Sequence, residues 1–208
     1  MWRKILHIVP ESIAHGIADR QDPELSEALS GLPEWRLRKA LSYRFDIDRY
    51  TCAQAYKLLR ELLSENYCIT GDVEFDYHTD GKPFLKDYPE IHFNFSHCRR
   101  AVLCAVGDSP LGVDVEQIQY DPDLARIVLS PRELAATESS QDPALAFTEL
   151  WTRKESLLKL LGTGLPGATG PADTPGDLRG VLDSADPAIG FHTEADPAAG
   201  IVWTVASR

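Results

Sequence analysis

The period of the apolar positions changes several times along the chain, and each change predicts an element. Residues 4–9 (KILHIV) read as a first strand that Pro10 stops. Residues 33–41 and 48–63 carry helical spacing. In the second run Ala53, Ala55, Tyr56, Leu58, Leu59, Leu62 and Leu63 make a wide apolar stripe, with Asp48 as the expected N-cap. Residues 73–78 alternate like a strand, and Asp80-Gly81 predicts a turn into residues 82–85. Short β runs follow at 91–95, 101–106 and 111–116, the last two separated by a turn at 107–110. Their hairpin-like spacing predicts an antiparallel sheet.

Further on, Ser130-Pro131-Arg132-Glu133 has a capping serine, a proline at the first helical position and a glutamate three residues after the cap, a helix start. Residues 144–161 form the longest helix candidate, closed by Gly162 and Gly164. Residues 166–176 are rich in Gly, Pro, Ala and Thr and predict a mobile loop. Weak strand signals at 178–182, 188–192 and 201–205 complete the chain. Helices mixed with mostly antiparallel strands place it in the α+β class.

Composition narrows the function classes. With 208 residues, 43% of them hydrophobic and 25% charged, the chain makes one large domain or two small ones. A net charge of −11 argues against a general nucleic-acid binder and leaves no polybasic patch for an anionic membrane. The imbalance is uneven: residues 1–104 carry net −2 and residues 105–208 net −9. Residues 31–60 reverse the sign to +4 through Arg36, Arg38, Lys39, Arg44, Arg49, Lys57 and Arg60. Such an island is either a solvated helix face or a site for a small anion or an acidic protein. Cys52, Cys68, Cys98 and Cys104 lack paired spacing, so a structural zinc site is not expected and reduced thiols in a cytoplasmic protein are. The N-terminus lacks the apolar stretch of a signal peptide, and no apolar run nears the roughly 20 residues that span a bilayer.

Three segments carry chemistry. Asp114 and Glu116 lie two apart in Gly112-Val113-Asp114-Val115-Glu116, so a strand turns both carboxylates to one face. Two such charges repel unless a cation lies between them, and an oxygen-only pair suits a hard ion such as Mg²⁺; an ordinary alternating strand would look the same. In Trp151-Thr152-Arg153-Lys154-Glu155-Ser156-Leu157-Leu158-Lys159, the residues Trp151, Glu155 and Lys159 share one helical stripe. The stripe supplies a third carboxylate and an ammonium, or simply a surface ion pair. Phe93-Asn94-Phe95-Ser96-His97 ends a strand with a hydroxyl and an imidazole, both able to meet a phosphate oxygen.

Together, His92–His97, the 112–116 run and the 151–159 helix, preceded by Gly81-Lys82-Pro83-Phe84, resemble the 4′-phosphopantetheinyl transferases of the surfactin-synthetase-activating type over about residues 30–165. The resemblance implies a pseudo-dimer of two similar α+β halves, placed here at 1–108 and 109–208, with coenzyme A in the cleft between them. It implies transfer of the phosphopantetheine arm of coenzyme A to a serine of an apo acyl or peptidyl carrier protein, releasing 3′,5′-ADP. By motif position Asp114, Glu116 and Glu155 hold Mg²⁺. Lys82, Ser96 and His97 meet the phosphates of coenzyme A, and Lys159 meets the pyrophosphate. Among the crowded basic residues Arg49 is carried over as a coenzyme contact, while Trp35 stands near a position where the family often has lysine. Glu155 is the expected general base, with Lys159 and Asp114 beside it in catalysis. A fused pseudo-dimer favours a monomer. The alternative is a Mg²⁺-dependent hydrolase of a nucleotide or coenzyme A pyrophosphate, using the same acids with water as nucleophile.

Overall fold

In the computed structural model, residues 1–15, 22–163 and 178–208 are described. The predicted loop at 166–176, and Gly164 with it, lie outside these residues. The first sheet forms from β1 (Trp2–Ile8), β4 (His92–His97) and β5 (Ala101–Gly107), ordered β1-β5-β4 and antiparallel throughout. A small hairpin, β2 (Phe75–Tyr77) and β3 (Pro83–Leu85), stands apart. The last sheet joins β6 (Leu111–Gln117), β7 (Gly190–Asp196) and β8 (Ile201–Ser207) in the order β6-β8-β7, again antiparallel.

Both three-stranded sheets therefore run first–third–second in chain order, and each has a long helix between its first and second strands. In the first, that helix is α4 (Asp46–Tyr67), following the short helices α1 (Glu11–Ala14), α2 (Pro23–Leu29) and α3 (Glu34–Leu41). In the second it is α7 (Pro143–Leu161), following α5 (Pro122–Val128) and α6 (Pro131–Glu138).

Strand periodicity sets the core. On β5, Val102, Cys104 and Val106 face α4 and join Tyr56, Leu59 and Leu63, while Ala101, Leu103 and Ala105 meet Val113, Val115 and Trp203 of the other sheet. β5 is buried on both faces, which is why it reads as an unbroken apolar run. On β6 the same alternation sends Val113 and Val115 to that shared core and turns Gly112, Asp114 and Glu116 toward α7. The β6 and α7 backbones touch at Gly112: a Cβ there would collide with the Ser156 carbonyl oxygen and the Leu160 nitrogen.

Several boundaries differ from expectation. α4 starts two residues before Asp48, with Phe45 at the N-cap and no side-chain cap; Asp46 and Asp48 instead sit in its first turn, where they favour the helix dipole. It runs on to Cys68, whose left-handed backbone (φ 58°) ends it where no glycine marks the stop. Residues 178–180 form a 3₁₀ turn, not a strand. α1, α2 and α5 are too short to show apolar periodicity, although Asp22-Pro23 and Asp121-Pro122 cap the last two. The capping box at Ser130 and Glu133 is formed, and Gly162 (φ 72°) ends α7. The four cysteines are unpaired, and no helix among the described residues is long and apolar enough to cross a membrane.

Candidate active site

The acids on β6, the end of β4 and one stripe of α7 meet in one place. Asp114 is 2% exposed. Its Oδ1 accepts a 2.7 Å hydrogen bond from the Ser96 hydroxyl and one of 2.6 Å from the Lys159 ammonium. Lys159 also donates to Ser96 Oγ at 2.9 Å, closing a three-membered polar ring across three elements. β4 is keyed to β6 by a second contact, from the Val113 N–H to Asn94 Oδ1 at 2.9 Å. Asn94 was not singled out by sequence; its position one residue before the Phe95-Ser96-His97 end of the strand was the available signal.

The α7 stripe is oriented as its spacing predicts. Glu155, one turn after Trp151, is buried next to the acids, and Lys159 reaches Asp114. Burial, followed by the charge of Asp114, pushes Glu116 up to about 7, and the same two causes push Glu155 up to about 7. Lys159 opposes both shifts. Asp114 Oδ2 and Glu155 Oε1 are buried and accept no hydrogen bond. Three carboxylates thus share one ammonium, with two lone-pair-bearing oxygens left over. That donor set fits a hard divalent cation in charge and in atom type. Among the described residues, however, no three His, Cys, Asp or Glu side chains are gathered closely enough to hold one.

The other expected site residues fall around this centre. His97 lies between two cavities. One of about 430 Å³ is bordered by Arg44, Phe45, Asp48 and Arg99; the other, of about 260 Å³, is bordered by Arg36, Tyr43, Thr51 and Phe95. Its surroundings and the nearby Lys159 ammonium hold the imidazole below its usual range. Lys82 donates to the carbonyls of Leu111, Lys159 and Leu160 at 3.0, 2.7 and 3.3 Å. These three acceptors match its three donors and terminate α7 at its negative end. Lys82 would reach a phosphate only by releasing one of them. Arg49 folds back on its own turn, onto Asp46 Oδ1 at 2.8 Å and the Tyr43 carbonyl at 3.0 Å. Arg36 is 9% exposed, donates to the Cys52 carbonyl and lies under 6 Å from the Trp35, Tyr56, Phe75 and Phe95 rings. It therefore leaves the surface charge of the 31–60 island, and Trp35 is a core residue beside Tyr56 and Phe75.

Residues 110–197, which include β6 and α7, match the model of the 4′-phosphopantetheinyl transferase superfamily. Over this segment the chain is similar to that superfamily. It is 33% identical over 112 residues to the 4′-phosphopantetheinyl transferase Sfp of Bacillus subtilis, a match covering 52% of this chain and 50% of that protein. It is 36% identical over 121 residues to the transferase gsp of Aneurinibacillus migulanus, covering 53% and 50%. To HetI of Nostoc it is 31% identical over 157 residues, or 71% of this chain and 66% of HetI. The chain thus spans about half the length of the first two of these relatives. Within the superfamily frame, the ring of Ser96, Asp114 and Lys159 joins all three segments that carry the resemblance.

Proposed function

We propose that the protein transfers the 4′-phosphopantetheine arm of coenzyme A to a serine of an apo acyl or peptidyl carrier protein, yielding holo-carrier and 3′,5′-ADP. The observation that carries this reading is the ring of Ser96, Asp114 and Lys159, with the Glu116 and Glu155 carboxylates near enough to feel the charge of Asp114, in a chain whose residues 110–197 match the transferase superfamily. The named relatives are transferases, and nothing in them supports a pyrophosphate hydrolase.

Asp114, Glu116 and Glu155 would hold Mg²⁺, which when bound supplies positive charge to the pyrophosphate of coenzyme A. The two buried oxygens without partners, on Asp114 and Glu155, support that assignment. Lys159 and Ser96 bind and orient the pyrophosphate, and His97 contacts a phosphate from the rim of its cavities. Arg49 reaches the coenzyme from the first turn of α4, and Lys82 acts from the end of α7. Glu155 takes the proton from the carrier serine. The serine oxygen then forms its bond to the phosphorus bearing the pantetheine, and the bond from that phosphorus to the bridging oxygen breaks. The electron pair leaves with 3′,5′-ADP. That leaving group is a phosphate monoester and asks for little acid help, so alignment and charge neutralisation dominate.

The repeated first–third–second sheet with its inserted helix supports a pseudo-dimer divided near residue 108. We assign the protein to the cytoplasm, as a monomer acting on carrier proteins and not on nucleic acid or membranes. The deciding experiment is intact-mass spectrometry of an apo carrier protein incubated with this protein, coenzyme A and Mg²⁺. Addition of one phosphopantetheine, abolished by a chelator, is expected. Cleavage of coenzyme A with the carrier unmodified would overturn the transferase reading.

A further inference from the structure

The turn between α3 and α4 breaks the usual distribution of apolar side chains. All five residues from 41 to 45 are exposed, and three are large and apolar: Leu41 (50% exposed), Tyr43 and Phe45 (58%). Cations surround them. Arg38 and Lys39 are exposed on the last turn of α3, and Arg44 lies between Tyr43 and Phe45 in the sequence. Lys39 lies 5.2 Å from the Tyr43 ring and Arg44 lies 5.3 Å from that of Phe45. Among the nearby acids of the described residues, Glu34 lies 3.5 Å from Arg38 and Asp46 is engaged by Arg49, while Asp48 borders the cavities, so the acids sit at the edges of the patch. In a chain of net charge −11 this is a cationic exception.

The surface is also continuous with the candidate site. Arg44 and Phe45 border one of the cavities beside His97, and Tyr43 borders the other. Leu41, Arg38 and Lys39 border neither, and extend the patch outward from the rims. A small ligand held in those cavities has no use for outward-facing groups on a convex turn. A protein does: interfaces combine apolar anchors with a charged rim. Resting on the transferase reading, we infer that the 41–45 turn, with Arg38 and Lys39, is the docking surface for the acidic apo carrier protein. The apolar side chains form its centre. The cations attract the carrier locally, against the repulsion of the rest of the molecule.

The test uses the full chain carrying Leu41→Ser with Lys39→Glu, both away from the reacting groups. The KM for an acidic apo carrier is expected to rise at least tenfold, about 1.4 kcal/mol, with kcat and the KM for coenzyme A within twofold of wild type. The wild-type KM for the carrier should rise between 50 and 300 mM salt, on the order of a few fold, and that of the variant less. Binding of the apo carrier measured by anisotropy without coenzyme A should weaken in parallel. An unchanged carrier KM, or an increase confined to coenzyme A, would overturn the docking assignment while leaving the transferase intact. Failure of the wild type to modify any carrier would instead remove the functional reading.

Discussion

The Lys159 ammonium sits 2.6 Å from Asp114 Oδ1, and its charge also bears on the Glu116 and Glu155 carboxylates of β6 and α7. Asp114 is almost fully enclosed, whereas Lys159 is about 29% exposed. The pair thus has an inner partner that depends on the outer one.

Replacing Lys159 with alanine removes that partner and leaves Asp114 buried with only the Ser96 hydroxyl. Breaking a pair of this kind costs on the order of 3 kcal/mol, which for a chain of this size lowers Tm by roughly 6–12 °C. Transfer activity should fall at least about 100-fold, the size of effect expected when one donor aligned on developing charge is removed. Thermal unfolding and steady-state kinetics check the two parts separately. A variant with normal turnover would take Lys159 out of the site.

Glu116 and Glu155 both rise from 4.5 to about 7 on folding, because burial and Asp114 disfavour their charged forms. Between those values the folded protein holds protons that the unfolded chain has released. Their contribution to stability is therefore complete below about pH 4.5 and declines as pH rises toward 7. In chelator, Glu155→Gln should match wild type near pH 5 and exceed it in Tm by several degrees at pH 7.5. Mg²⁺ should raise the wild-type Tm at pH 7.5 and do so much less in the variant, whose transfer activity should be lost. A Tm difference that is flat with pH would contradict the shared burial of these acids.

Much of this cluster was legible in the sequence because its spacing is short-range. The i, i+2 pair on β6 and the i, i+4, i+8 stripe on α7 each fix a face without knowledge of the fold. Chain folding alone sets the alliances between elements. Lys82 lies 77 residues from Lys159, whose carbonyl it caps, and its sequence neighbourhood shows only a turn. Arg36 looked like surface charge because it sits among exposed cations, yet its position on α3 points it into a ring of aromatic side chains contributed by distant segments. The sequence places the start of α4 two residues late because Asp48 is a good capping residue, whereas the helix begins at Asp46, where Arg49 bonds Asp46 Oδ1 and the Tyr43 carbonyl.

Gly112 gives a backbone test of the site. Its missing Cβ lets β6 lie against the Ser156 and Leu160 backbone, and rigid main chain offers no side chain to move aside. Gly112→Ala must push α7 from the strand. A cost of about 3 kcal/mol, the upper part of the usual range for overpacking, is expected. The shift also carries Glu155 and Lys159 away from Asp114, so kcat should drop by more than the loss of folded protein explains. Activity per folded molecule, corrected by the fraction folded at the assay temperature, is the quantity to compare. If it stayed constant, α7 would have adapted without moving its charged stripe.

Lys154 stands next to Glu155 in sequence but points elsewhere. Its side chain is fully buried, 3.0 Å from Glu133 Oε2 and 2.7 Å from the Leu178 carbonyl. Glu133 Oε2 also accepts the Ser130 N–H of the capping box, so one buried ammonium ties α7 to the start of α6 and to the turn at Leu178–Gly180. Lys154→Met leaves Glu133 with a mostly enclosed charge and the Leu178 carbonyl without its donor. The expected cost is about 3–5 kcal/mol, a larger loss of Tm than Lys159→Ala produces. Where the variant remains folded, at low temperature or with a stabilising osmolyte, its KM for coenzyme A and its Mg²⁺ dependence should stay near wild type, because Lys154 touches none of the groups around Asp114. A change in Mg²⁺ dependence in the folded variant would instead place Lys154 within the reacting site.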